Sequence, residues 1–161
     1  MLEGKRAYIC SPLSAKTREE RLENMMIAKI WLDTISRAFH CRTFASHAYL
    51  PLMLDDTIPE ERELALSIGK QLLDFCDVLL ICGERISSGM KGEILHAWDT
   101  GKGVYWFDDR RIPFGLKLIK NWEELKDAVQ IPEKNISELG ERLYRCPFYN
   151  TGYFCTAGSQ G

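Results

Sequence analysis

The stretch LDFCDVLLICGERISSGMKGEILHA, Leu73 to Ala97, constrains the fold more than any other part of the chain. Val78 to Cys82 carries no charge and reads as a buried strand. A short polar turn, Gly83 to Ser88, follows, and a helix opens at Gly89. On that helix Met90, Glu93, Ile94 and Ala97 share one face by the helical period. Three of the four are apolar and belong against a sheet. The fourth, Glu93, is a carboxylate, and on an inward face it needs a partner or a chemical role. The plainer alternative is an acid that reaches the edge of the sheet or pairs with a nearby Lys or Arg.

Before this unit, Arg6 to Ser11 reads as a first strand, stopped by Ser11-Pro12. Thr17 and Glu20 form a capping box for a helix that ends near Phe39, with Leu22, Met25, Met26, Ile30 and Ile35 as its apolar stripe. Thr43 to Ala48 is a candidate second strand. A second capping box, Thr57 and Glu60 with Pro59 in the first turn, opens a helix to Phe75, whose buried face is Leu64, Ile68, Leu72 and Phe75. After Gly101 and Gly103 come a fourth strand, Val104 to Phe107, and a short fifth, Leu116 to Ile119. Asn121 and Glu124 cap a short helix, and Asn135 to Leu143 reads as a last one. Strand and helix alternate throughout. The expected fold is therefore a Rossmann-like α/β domain with a parallel sheet of about five strands in flavodoxin-like order and helices on both faces. It spans residues 1–130, and residues 131–161 form a C-terminal helix and aromatic tail suited to a subunit interface.

Charge and composition narrow the function. The net charge is −2, so no basic excess points to a nucleic-acid polymer. No apolar run is long enough to span a membrane, and MLEGKRAYICS enters a strand without a signal-peptide core, so a cytoplasmic protein is expected. The six cysteines form no C-x-x-C pair and the three histidines no metal spacing; neither a metal nor a cofactor is expected. Neither G-x-G-x-x-G nor the P-loop motif occurs.

In an open α/β sheet, ligands bind beyond the carboxyl ends of the strands where the strand order reverses. The loops expected there are Ser11-Pro12-Leu13-Ser14 and Gly83 to Ser88. Tyr8, Ser11 and Ser14 approach from the first, and Glu84, Ser87, Ser88, Gly89 and Glu93 from the second. Asp55 and Asp56 line the crevice mouth or serve only as an acidic helix lead-in, and His47 has a minor claim to the pocket. The free amides at the start of the third helix suit an anion. A carboxylate beside them suits attack on an anomeric carbon, with another acid protonating the departing base.

The residues Tyr8-Ile9-Cys10-Ser11-Pro12, Asn24 and Ala28, the Leu73–Ala97 stretch and Asp55-Asp56-Thr57-Ile58-Pro59-Glu60-Glu61-Arg62 carry a resemblance. Over about residues 6 to 107, roughly two-thirds of the chain, it resembles the nucleoside 2-deoxyribosyltransferase-like superfamily, in particular a branch of small bacterial and phage proteins. The resemblance implies cleavage of the N-glycosidic bond of 2′-deoxynucleosides or their 5′-monophosphates. It implies Glu93 as nucleophile, Tyr8 as the tyrosine that orients it, and Ser88 and Gly89 as the grip on a 5′-phosphate. The family's acid belongs to an Asp-Gly pair after the third strand. Here Gly83-Glu84 stands there, with Glu84 longer and shifted by one position. The partner implied is a small nucleoside or nucleotide, and a homo-oligomer would complete the site from a neighbour's tail, with Tyr149, Asn150 and Tyr153 as candidates. The alternative is a module of the same fold that binds a nucleotide without turnover.

Overall fold

The computed structural model describes residues 1–129. The expected helix Asn135 to Leu143, the aromatic tail, Cys146 and Cys155 lie outside the described residues. The elements are β1 (Arg6–Cys10), α1 (Arg18–Phe39), β2 (Arg42–Phe44), two 3-10 turns (Ser46–Ala48 and Leu50–Leu52), α2 (Pro59–Phe75), β3 (Val78–Ile81), α3 (Ser88–Asp99), β4 (Gly103–Asp108), β5 (Gly115–Leu118) and α4 (Trp122–Val129). They make an α/β domain around one five-stranded sheet of order β2-β1-β3-β4-β5. The first four strands are parallel and β5 runs antiparallel to β4, so the sheet is mixed rather than wholly parallel as expected. Only six residues, 109–114, link the end of β4 at Asp108 to the start of β5 at Gly115, and a parallel return needs a crossover of about a dozen or more.

The alternation of each strand sorts the core into two layers. Tyr8, Cys10, Leu79, Ile81, Val104 and Trp106 face α2, α3 and α4, packing on Leu73, Ile94, Ala97 and Leu125. The alternate residues, among them Ile9, Leu80 and Phe107, are also buried. They face α1, whose Phe39 meets Phe107 edge to face at 6.3 Å between ring centres. Helices thus cover both faces. At the amino end of the strands Arg6 forks onto Asp77, with Nη2 to Oδ1 at 2.8 Å, and the Arg6 amide donates to the same carboxylate. That pairing holds the Asp77 carboxyl well below its usual range. It also identifies Asp77 as a clamp between β1 and β3, remote from the strands' carboxyl ends.

Four local expectations are corrected, and three of them shape the cleft. The strand expected over Thr43 to Ala48 stops at Phe44 and breaks into the 3-10 turns. A continued strand would send Ser46 and His47 to opposite faces; the turn brings both to the same cleft. The Thr57–Glu60 box does not form. Ile58 occupies the cap position without a side-chain bond, because Thr57 donates both its amide (2.9 Å) and its hydroxyl (2.7 Å) to Asp55 Oδ1. On α2 the buried residues are Gly69 and Leu73, while Leu64 and Phe75 are exposed. The helix is rotated so that Gly69 meets Tyr8 and Ser46. On α1, Met25 and Ile35 are buried as expected but Leu22 and Met26 are exposed, because the first turns of the helix border the cleft rather than the sheet. The capping boxes of α1 (Thr17 with Glu20) and the Asn121 cap of α4 form as read from the sequence. Among the described residues no helix is long and apolar enough to cross a membrane.

Candidate active site

The strand order reverses between β1 and β3, and an open cleft of about 810 Å³ lies there. Its floor is built from β1 upward. Tyr8 is fully buried in the middle of β1. Its hydroxyl donates to Glu93 Oε1 at 2.6 Å and lies 2.9 Å from Ser46 Oγ. The phenol has one proton, and the carboxylate takes it, so Ser46 must donate to the phenol oxygen. Two residues further along the same face of β1, the Cys10 thiol donates to the Met90 carbonyl at 4.0 Å, one turn before Glu93 on α3. Glu93 therefore accepts from the Tyr8 hydroxyl of β1, with the Cys10 thiol on the same strand face.

The electrostatics follow from this packing. Burial raises the Glu93 carboxyl above its usual value, and the hydrogen bond from Tyr8 opposes that rise. Burial, reinforced by the Glu93 charge, pushes the Tyr8 phenol and the Cys10 thiol well up. Both therefore keep their protons at neutral pH and remain donors. The close approach of α2 completes the arrangement. A Cβ on Gly69 would stand 3.1 Å from Ser46 Oγ and 3.7 Å from the Tyr8 oxygen, so any larger residue would have to push the Ser46 hydroxyl aside.

The cleft rim at α3 is a helix start. Ser87 Oγ accepts from the Met90 amide at 3.3 Å, leaving the Ser88 and Gly89 amides without intrahelical partners. Ser87, Ser88 and Gly89 all line the cleft with Glu93 one turn inward. The loop after β1 is pinned from both sides: Asn24 Nδ2 donates to the Leu13 carbonyl (3.0 Å) and Arg85 Nη2 to the Ser14 carbonyl (2.9 Å). This fixes Ser11 and Ser14, which both line the cleft.

Most of the residues singled out in the sequence converge. Ser11, Ser14, Asp55, Asp56, Ser87, Ser88, Gly89 and Glu93 border the same space, with Tyr8 directly beneath Glu93. Glu84 and Pro12 are not on its lining. Gly83 takes a φ of 94°, and a Cβ there would meet Trp31 at 3.3 Å and Pro12 at 3.6 Å, so the turn after β3 is packed closely against both. Asp55 is held as an anion by the two bonds from Thr57.

Other cleft residues had little or no signal in the sequence. Ser46 holds Tyr8. His47 is buried, with Nε2 2.6 Å from Ser11 Oγ, and burial lowers its pKa to about 4, so the imidazole is neutral. Arg18 and Arg21 from α1 and Arg62 and Lys70 from α2 also line the cleft. Arginine at positions 18 and 21, three apart in the first turn of a helix that starts beside a ligand loop, was the one available clue to a cationic wall. No group of three or more His, Cys, Asp or Glu capable of holding a metal occurs among the described residues. Cys10, Cys41, Cys76 and Cys82 are buried free thiols.

A sequence model of a family described as a domain of unknown function, DUF7768, matches residues 5–107. That stretch contains Tyr8, Ser11, Ser46, Asp55, Ser87 and Glu93. No curated protein matches the chain.

Proposed function

We propose that this chain, which belongs to the DUF7768 family of domains of unknown function, cleaves the N-glycosidic bond of 2′-deoxynucleosides or their 5′-monophosphates, or transfers the deoxyribosyl group to a second base. The observation that carries the reading is the 2.6 Å bond from Tyr8 to Glu93 at the floor of a cleft rimmed by unpaired helix-start amides. It agrees with the resemblance to nucleoside 2-deoxyribosyltransferase-like proteins. Tyr8 holds Oε1 of the Glu93 carboxylate, leaving Oε2 for attack at C1′. The bond from Glu93 to C1′ forms as the bond to the base breaks, its electron pair passing to the base nitrogen. Water, or the N–H nitrogen of a second base, then attacks C1′ and frees the carboxylate, its proton passing to the departed base anion. The Ser88 and Gly89 amides with the two hydroxyls would hold a 5′-phosphate and set the sugar in line. The active unit under this reading is a homo-oligomer of a cytoplasmic enzyme.

The test is chromatography for free base after incubation with a panel of deoxynucleosides and their 5′-monophosphates. Release by the wild type and none by Glu93→Ala is the expected result; equal release by both proteins overturns the mechanism.

One observation favours a second reading, a nucleotide sensor without turnover. Glu84 does not line the cleft and Asp55 is held ionised, so neither is placed to give the leaving base its proton. Thermal stabilisation by nucleotides of both wild type and Glu93→Gln, with no base released by either, is the signature of that reading.

A further inference from the structure

The cleft lining carries cationic side chains besides the helix-start amides of α3. Arg18, Arg21, Arg62 and Lys70 all border it, and none makes an ion pair among the described residues. The carboxylates on the same lining are mostly occupied by other bonds. Asp55 accepts from Thr57, Glu61 accepts from the Asp55 amide, and Glu93 accepts from Tyr8. Arg21 contributes to the field that lowers Asp55 but forms no bond to it. Among the described residues Asp56 alone of the four lining acids has no bonded partner. Four cations from two helices, α1 and α2, thus line one space together with four carboxylates, and none of these cations is in an ion pair among the described residues. Their place on separate helices from Ser88 and Gly89 gives the cleft two anion-binding regions.

We infer that the preferred ligand is a nucleoside 5′-triphosphate or diphosphate, its phosphate chain reaching from the α3 start to the guanidinium groups of Arg18 and Arg62. The inference rests on the nucleotide reading above. Guanidinium groups form bidentate, charge-assisted bonds to phosphate oxygens, and each phosphate beyond the first would find a cation already unpaired. The cleft volume of about 810 Å³ accommodates a ligand of that size.

Titration calorimetry on the Glu93→Gln protein, which binds without turnover under the proposed mechanism, separates the possibilities. The probes are the four deoxynucleoside 5′-monophosphates, the matching triphosphates, and inorganic tripolyphosphate, at low and at physiological salt. The best triphosphate is expected to bind at least tenfold more tightly than its monophosphate, with the advantage shrinking as salt rises. The double substitution Arg18→Gln/Arg62→Gln is expected to bring the triphosphate-to-monophosphate ratio close to one, and Arg18→Lys/Arg62→Lys to restore part of it. Both arginines are exposed, so loss of fold is not the expected cause. Equal affinity for mono- and triphosphates overturns the inference, as does tripolyphosphate binding as tightly as any nucleotide. Base release from monophosphates without a triphosphate preference would leave the proposed activity standing while removing this inference. A triphosphate preference with no base release would do the reverse.

Discussion

At Glu93 two opposing effects meet, and their balance is open to measurement. Burial raises its pKa while Tyr8 lowers it. The proposed nucleophile must be ionised, so base release should fall as pH drops through that raised value. Removing the Tyr8 hydroxyl removes an effect that favours the anion. Tyr8→Phe should therefore move the acid limb of the pH–rate profile to higher pH and slow base release by about tenfold to a hundredfold. A raised carboxyl pKa also means the native state prefers the protonated form. Native stability held through this group is greatest below the unfolded-state value and is lost as pH rises through the folded one. Glu93→Gln should accordingly melt higher than wild type at neutral pH, with the gain disappearing in acid. His47 has the opposite linkage. Its pKa falls to about 4 on folding, so between about 6.5 and 4 the unfolded chain binds the extra proton and stability drops as pH falls. Over that window the loss is about 3 kcal/mol. Denaturant titrations of His47→Gln should show a flatter acid limb than wild type.

At the scale of elements, two features of α2 and α3 carry the site. Gly69 lets α2 approach Ser46 and Tyr8. Gly69→Ala should cost about 1–3 kcal/mol by crowding, and it should slow base release by displacing Ser46 from the Tyr8 oxygen. Ser87 caps α3. Ser87→Ala should cost about 1 kcal/mol in denaturant titration and weaken the binding of deoxynucleoside 5′-monophosphates more than that of the unphosphorylated nucleosides. α3 was legible because Met90, Ile94 and Ala97 repeat at the helical period and Ser87-Ser88-Gly89 punctuates its start. The 3-10 turn at Ser46 was not, since Thr43 to Ala48 alternates well enough to pass for a strand. The cap of α2 departs from its sequence motif for a related reason. Thr57 satisfies the motif, but Asp55, two residues earlier, takes both of its protons.

On the scale of the whole molecule, the cleft is an edge phenomenon. It lies where β1 and β3 diverge to α1 on one face and α2 and α3 on the other, and its outer wall includes exposed Leu52 and Met53. Under the proposed oligomeric site, wild type should sediment as a dimer or larger, and Leu52→Glu/Met53→Glu should shift it toward monomer. An unchanged sedimentation coefficient would place the oligomer contact elsewhere or remove it.

The sequence by itself determined the α/β alternation, the buried β3, the capped α1 and α4, and the placing of Tyr8, Ser11, Ser87 and Glu93 around one end of the sheet. These depend on periodicity and on local capping, which short spans of chain encode. Tertiary structure decided the reversed direction of β5, the rotation of α2 onto Gly69, the pairing of Ser46 with Tyr8 and of His47 with Ser11, and the assembly of four cations from two helices. Each of these depends on which distant segment becomes a neighbour, and contact across the sheet leaves no period in the sequence.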